Sequence, residues 1–447
     1  MLGTCSVFFG LFLATACVRE DRADPSADAG STGTGGHSAN TGGSSADAGS
    51  TSTGGHSANT GGSAGTSGPV GGSAGSSSTD GTGGTSSSGS GGTAGTASGG
   101  TGAGATGGGG AGGGATAGTT GAGGQVATGL PDPGSDGDGD STIASYTTQS
   151  DLTSKGNPKG KTFSVQVTSK IFDGKDSTLR SPASATRTVQ AYVPAMYKDG
   201  TPAPLLIIQD GPGELSQVSN ALDNLTISAD PMRKLPPFII IAVPNGGGDS
   251  IGSERGLEYD TLSDRHARFI TEEVMPAVQT SLKAMYPNFK FDPNPSGRAT
   301  LGCSSGAAAA FTMAWFRPDL FSRVIAYSAT LVAQQDPKAP ESAMYPHGAW
   351  DYHSDLELIK NDKLGREKKL RIFHNANQND NGATAPESGR HNWLMANMRT
   401  AAALKAKGFH YKFVEGLGQG HCAGQVQSAT LADALVWVWR GYQPPVN

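Results

Sequence analysis

The sequence predicts an α/β fold: a mainly parallel, doubly wound sheet flanked by helices and preceded by a long disordered Gly/Ser linker. Three observations predict it. Short continuous runs of branched apolar residues at Leu205–Gln209 and Phe238–Val243 have the pattern of strands buried on both faces of a parallel sheet. Helical periodicities alternate with such runs through to the C-terminus, the order of a doubly wound sheet. Ahead of them, Ser31 to Leu130 is almost wholly Gly, Ser, Thr and Ala, with Asp47 and Asp80 as its only charges. That is too little apolar surface to offset the backbone entropy of folding.

The N-terminus reads as a targeting element. Ser6 to Ala16 is an apolar run ending in Ala14-Thr-Ala-Cys17, too short to cross a bilayer and similar to a signal-peptide core. Small residues directly before a Cys resemble a bacterial lipoprotein box, with Cys17 as the lipidated residue. No Lys or Arg precedes the run, and plain secretion is the alternative. The chain therefore divides into a signal peptide (1–17), a linker (18–150) and a catalytic domain (151–447).

Within the linker, Ser-Ala-Asp-Ala-Gly-Ser-Thr begins at Ser26 and again at Ser45, and the stretch from Thr34 containing His37 returns at Thr53 with His56. Neither copy has an apolar residue to stack, so this is a duplicated spacer and not a solenoid. About 100 Gly/Ser residues have an r.m.s. span of roughly 50–60 Å, which suits a tether. Asp136-Gly-Asp-Gly-Asp140 looks like half a calcium loop, but Ser141 and Thr147 stand where Gly and Glu are needed. It reads as an acidic linker end, and no metal or other cofactor is expected. Residues 1–150 carry a net charge of −8 and the rest +3. No basic stripe occurs in either half, which argues against a nucleic-acid partner. Membrane contact is expected only through a lipid anchor.

The folded part reads, in order, as strands at Lys161–Ser169, Arg187–Pro194, Leu205–Gln209 and Phe238–Val243. A helix follows at Asp264–Met285, kinked at Pro276. Then come a strand at Ala299–Leu301, a helix from Ser305, and strands near Val324–Tyr327 and Leu370–His374. A helix at Asn392–Lys407, a strand at Tyr411–Val414 and a helix at Thr430–Trp439 close the chain. In such sheets chemistry gathers in loops beyond the carboxyl ends of the strands.

Gly302-Cys-Ser-Ser-Gly306 is a G-x-S-x-G sequence between a strand and a helix, the context of the nucleophile elbow in α/β-hydrolases. Ser304 is the expected nucleophile. The first oxyanion donor is then the Ser305 N–H at the helix start. The second should come from Gln209-Asp-Gly-Pro212, where Pro212 has no N–H, leaving Asp210 or Gly211. A serine hydroxyl needs a base, and His421, in the loop between the last strand and the last helix, occupies the place this fold gives it. Asp380 is the first carboxylate beyond the preceding strand and the expected acid; Glu387 is the alternative. If Ser304 and His421 meet, their neighbours Cys303 and Cys422 come within disulfide reach, and in an exported protein they should be bonded.

At this point the chain resembles an esterase family that includes enterochelin esterases, feruloyl esterases and mycolyltransferases. The matching segments are Arg187-Thr-Val-Gln-Ala-Tyr-Val-Pro194, Gln209-Asp-Gly211, Arg255-Gly-Leu-Glu-Tyr-Asp260, Gly302–Gly306, Ala314-Trp-Phe-Arg-Pro-Asp-Leu-Phe321, Asn392-Trp393 with Asn397, Gly420-His421 and Asp433–Trp439. The resemblance implies Ser304, Asp380 and His421 as the triad. The Cys beside Ser304 and the Cys beside His421 depart from the enterochelin-esterase-like members and look like the arrangement in tannases and fungal feruloyl esterases. Arg255 and Glu258 are expected either to touch substrate or to form a structural ion pair. The expected function is metal-free hydrolysis of an extracellular ester (phenolic, acylated-sugar or siderophore) through an acyl-enzyme. An acyltransferase and an inactive surface-displayed binding module are the alternatives.

Overall fold

The computed structural model describes residues 134, 137–176, 178–180, 183–362 and 368–445. The signal peptide, Cys17 and the Gly/Ser/Thr/Ala-rich segment lie outside the described residues.

Among the described residues, nine strands form one sheet: β1 (Gly139–Ile143), β2 (Lys161–Thr168), β3 (Thr186–Val193), β4 (Leu205–Gln209), β5 (Ile239–Val243), β6 (Arg298–Cys303), β7 (Arg323–Tyr327), β8 (Arg371–Asn379) and β9 (His410–Gly420). Their spatial order is β1-β9-β8-β7-β6-β4-β5-β3-β2. β2 and β3 are antiparallel, as are β3 and β5; every other neighbouring pair is parallel. The expected mainly parallel sheet is the sheet observed.

The continuous apolar runs are explained by burial on both faces. Leu205 and Ile207 enter one apolar cluster, Leu206 and Ile208 the other, because successive strand side chains point to opposite sides. Helices α1 (Leu215–Leu225) and α7 (Gly424–Val438) cover the second face through Val218, Leu222, Leu431 and Leu435. The first face is covered by α5 (Ser305–Phe316), by α6 (Trp393–Lys407) and by the run α3 (Arg265–Arg268), Phe269–Val274 and α4 (Met275–Leu282). A further short helix, α2 (Glu254–Tyr259), precedes that run. No helix among the described residues is long and apolar enough to cross a membrane.

Four elements differ from expectation. The helix around Pro276 is not simply kinked: Phe269–Val274 is π-helical. Pro276 has no N–H to give the Glu272 carbonyl, and one widened turn absorbs the break in the ladder. β8 and β9 run well past their apolar segments, and the polar outer residues of β8 are satisfied sideways. Asn375 Nδ2, for example, donates to the Val414 carbonyl at 2.8 Å. The folded domain also starts earlier than 151. β1 pairs with β9 in register Gly139↔Lys412 to Ile143↔Gly416, and Asp138 sits 2.8 Å from His410 Nδ1. Residues 138–143, which the sequence assigns to the linker, are therefore tied to the sheet.

Candidate active site

β6 ends at Cys303 and α5 begins at Ser305, leaving Ser304 alone at the turn with φ 58° and ψ −128°. A non-glycine residue at positive φ costs roughly 1–3 kcal/mol and persists only where its surroundings over-determine it. They do so here. The Ser304 N–H donates to the Tyr327 carbonyl at 3.0 Å, and its own carbonyl accepts from Ala307, Ala308 and Thr330. The flanking glycines are needed for space. A Cβ on Gly302 would lie 2.4 Å from the Gly306 backbone, and one on Gly306 would lie 2.9 Å from Asp210 Oδ2. The small face Ala307–Ala310, wholly buried, lets α5 start hard against the sheet.

β9 carries His421 back over this turn. His421 Nε2 lies 2.9 Å from Ser304 Oγ, and its Nδ1 lies 2.6 Å from Asp380 Oδ1. Asp380 stands beyond β8, its side chain out of solvent. Its Oδ1 also accepts from the Asn381 N–H at 2.8 Å. Its Oδ2 accepts from Ser328 Oγ at 2.8 Å and the Asn377 N–H at 3.1 Å. Burial pushes this carboxyl up, but the hydrogen bonds from His421 and Ser328, with the charge of His421, outweigh it and hold it below the ordinary carboxylate value. Glu387, the alternative acid, is elsewhere, in an exposed ion pair with Arg399 at 2.6 Å. Cys303 and Cys422 are joined by a disulfide, with Cα atoms 6.1 Å apart. A hydroxyl, an imidazole and a buried carboxylate are thus in line for proton transfer from the hydroxyl.

Residues 183–424 match the family described as "Putative esterase". The chain belongs to this esterase family. Solved structures similar to this esterase include a ferulic acid esterase, at 18% identity and TM-score 0.45, covering 63% of this chain and 98% of that one. The ferric enterobactin esterase from Salmonella typhimurium is similar at 17% identity and TM-score 0.42, covering 63% of this chain and 59% of that one. The feruloyl esterase module from Clostridium thermocellum is similar at 14% identity and TM-score 0.42, covering 69% and 98%. No curated protein sequence matches this esterase.

The expected oxyanion side of the candidate site differs from expectation at the second donor. The Ser305 N–H lies in the first turn of α5, where no helix carbonyl can take it. Neither candidate for the second donor is available. The Asp210 N–H donates to Tyr259 Oη at 3.1 Å, and the Gly211 N–H donates to the Val243 carbonyl at 2.9 Å. Asp210 instead serves through its carboxylate, which takes both Arg255 Nε and Nη2 at 2.9 Å and Asn245 Nδ2 at 2.7 Å. Arg255 and Glu258 do not pair with each other. Glu258 holds Arg187 in a buried two-pronged ion pair at 2.8 and 2.9 Å.

Several site residues escaped the sequence reading. Thr330 Oγ1 lies 3.4 Å from Ser304 Oγ and takes the Trp393 indole N–H at 3.2 Å, while the Trp393 ring stands edge-on to His421 at 6.0 Å. Ser328 and Asn377 both reach Asp380. Ser328 and Thr330 follow the carboxyl end of β7, and that position was the one available signal. Among the described residues, His347, Asp351 and Asp355 have donor atoms close enough to hold a metal ion. Arg390 Nε already occupies Asp355 Oδ2 at 3.0 Å, and none of the three shares a hydrogen bond with Ser304, His421 or Asp380.

Proposed function

We propose that this chain is an exported serine esterase that cleaves an extracellular carboxylic ester, phenolic, acylated-sugar or siderophore, through an acyl-enzyme. The observation that carries it is the unbroken chain Ser304 Oγ–His421–Asp380, at 2.9 and 2.6 Å. As Ser304 Oγ attacks the ester carbonyl, its proton passes to His421 Nε2. Asp380 holds Nδ1–H and stabilises the imidazolium. The tetrahedral oxyanion forms beside the Ser305 N–H and the start of α5, where the helix dipole favours negative charge. His421 then gives its proton to the leaving alcohol, and a water deprotonated by the same nitrogen releases the acid and restores Ser304.

Export is supported by the signal-like N-terminus and by a disulfide at the site, since disulfides persist in oxidising compartments. On this reading Cys17 carries a lipid and the Gly/Ser stretch acts as tether. The test is a hydrolysis screen over acetyl, feruloyl, galloyl and siderophore esters, comparing wild type with Ser304→Ala. An active Ser304→Ala protein would overturn the serine mechanism. Product analysis with excess acceptor alcohol separates hydrolysis from acyl transfer.

A further inference from the structure

His421 follows Gly416-Leu-Gly-Gln-Gly420, the glycine-rich end of β9, whose last registered pair is Gly420 with Asn379. Beyond that pair, its position between Ser304 and Asp380 depends on what grips the peptide groups around it. The peptide groups on either side of it are both captured. Before it, the Gly420 carbonyl accepts from Asn377 Nδ2 at 2.5 Å. After it, the Cys422 N–H donates to Ser328 Oγ at 3.0 Å.

The two captors are themselves fixed and fully buried. Asn377 Oδ1 accepts from Asn375 Nδ2 at 3.1 Å, and Gly416 leaves the room this amide needs, because a Cβ there would lie 2.3 Å from Asn377 Oδ1. Ser328 is held at φ 44°, with its N–H on the Asn375 carbonyl at 2.9 Å. Each captor also touches the carboxylate that orients the ring: Ser328 through its hydroxyl and Asn377 through its backbone N–H, both on Asp380 Oδ2. One pair of residues thus ties the backbone around His421 to the Asp380 carboxylate.

We propose that Ser328 and Asn377 are positioning residues that set where His421 stands between Ser304 and Asp380. The proposal rests on the serine-esterase reading. Neither residue touches the ester; each acts through His421 and Asp380. The disulfide restrains the loop only through the Cys422 side chain, whereas these bonds fix the peptide planes that aim the imidazole.

The experiment uses the full chain with p-nitrophenyl acetate as the probe ester, comparing wild type, Ser304→Ala, Ser328→Gly, Ser328→Ala, Asn377→Ala and the double variant Ser328→Gly/Asn377→Ala. Ser328→Gly removes the hydroxyl while keeping the positive φ accessible. Each single change is expected to lower kcat by roughly 10- to 100-fold with KM within about twofold, the signature of a misplaced group rather than lost binding. No thiol should become titratable, and fluorophosphonate labelling of Ser304 should slow in step with kcat. The double variant should lose less than the product of the single losses, since both act on one unit.

Folded, disulfide-intact Ser328→Gly and Asn377→Ala with wild-type kcat would overturn the proposal. So would a change confined to KM, or loss of the fold in both, which would make the pair a support of the fold and not of the base. An active Ser304→Ala overturns the serine reading instead, so the two failures are distinguishable.

Discussion

Cys303 and Cys422 are 119 positions apart in the chain and 6.1 Å apart at their Cα atoms, joined by a disulfide. Each is the immediate neighbour of one member of the hydrogen-bonded pair Ser304–His421. The bond therefore closes a long loop at the point where the hydroxyl and the imidazole meet. Replacing both cysteines with serine is expected to cost about 2–5 kcal/mol, most of it from the freed unfolded chain. Urea unfolding measures the loss, and an unchanged midpoint would refute it.

The two candidate acids are separated by burial and partner. Asp380→Asn leaves a side chain that no longer fixes the imidazole tautomer, and kcat should fall by roughly 10³- to 10⁴-fold. Glu387→Gln breaks only an exposed pair with Arg399, worth about 0–1 kcal/mol, and should leave kcat unchanged. Steady-state kinetics on both variants decides between them.

Two of the shifted carboxyls should move stability with pH in opposite directions. Asp380 is held below its ordinary value, so its contribution is present above pH ~4 and is lost as pH falls through the lower folded value. Asp260 behaves the other way. Burial raises its carboxyl to about 7 despite hydrogen bonds from Ser305 and Gln334. Between pH ~4 and 7 the folded state keeps a proton that the unfolded state has lost, so stability falls as pH rises through that window. Asp260→Asn should therefore gain on wild type in melting temperature between pH 5 and pH 8. Parallel curves for the two proteins would refute the assignment.

The glycines of the turn act through space. Gly302→Ala and Gly306→Ala place a methyl 2.4 Å from the Gly306 backbone and 2.9 Å from Asp210 Oδ2 respectively. Gly302→Ala meets backbone that cannot yield, and it should lose both soluble yield and fluorophosphonate labelling. Gly306→Ala meets a side chain and should be the milder change. Equal labelling of both variants and wild type would contradict this.

The domain boundary is testable by truncation. A chain starting at Asp151 lacks β1, the Tyr146 hydroxyl 2.6 Å from the Leu417 carbonyl, and Gln149, whose Oε1 takes the Ala432 N–H at 2.8 Å. A chain starting at Gly134 keeps them. The shorter one should melt several degrees lower, about 2–4 °C per kcal/mol lost for a domain of this size.

Much of the architecture was legible because local chemistry and burial coincide in it. Leu205–Gln209 and Ile239–Val243 are apolar on both faces because both faces are covered. Gly302–Gly306 is readable because a strand, a cramped turn and a helix each leave residues of their own kind. β1 was not legible, being short and without a buried residue at the end of a Gly-rich stretch. Neither were the outer halves of β8, where buried Asn375 and Asn377 replace apolar side chains, and of β9, which is rich in glycine.

Chain order and residue type determined by themselves which serine, histidine and cysteines belong together, since this topology allows few places for each. Only tertiary structure decided how each atom is held. The Asp210 and Gly211 N–H groups, eligible by position, are taken by Tyr259 and Val243, and Ser328 and Asn377, ordinary polar residues in the sequence, embrace the base. The reason is that hydrogen-bond partners across strands depend on register and distance in three dimensions.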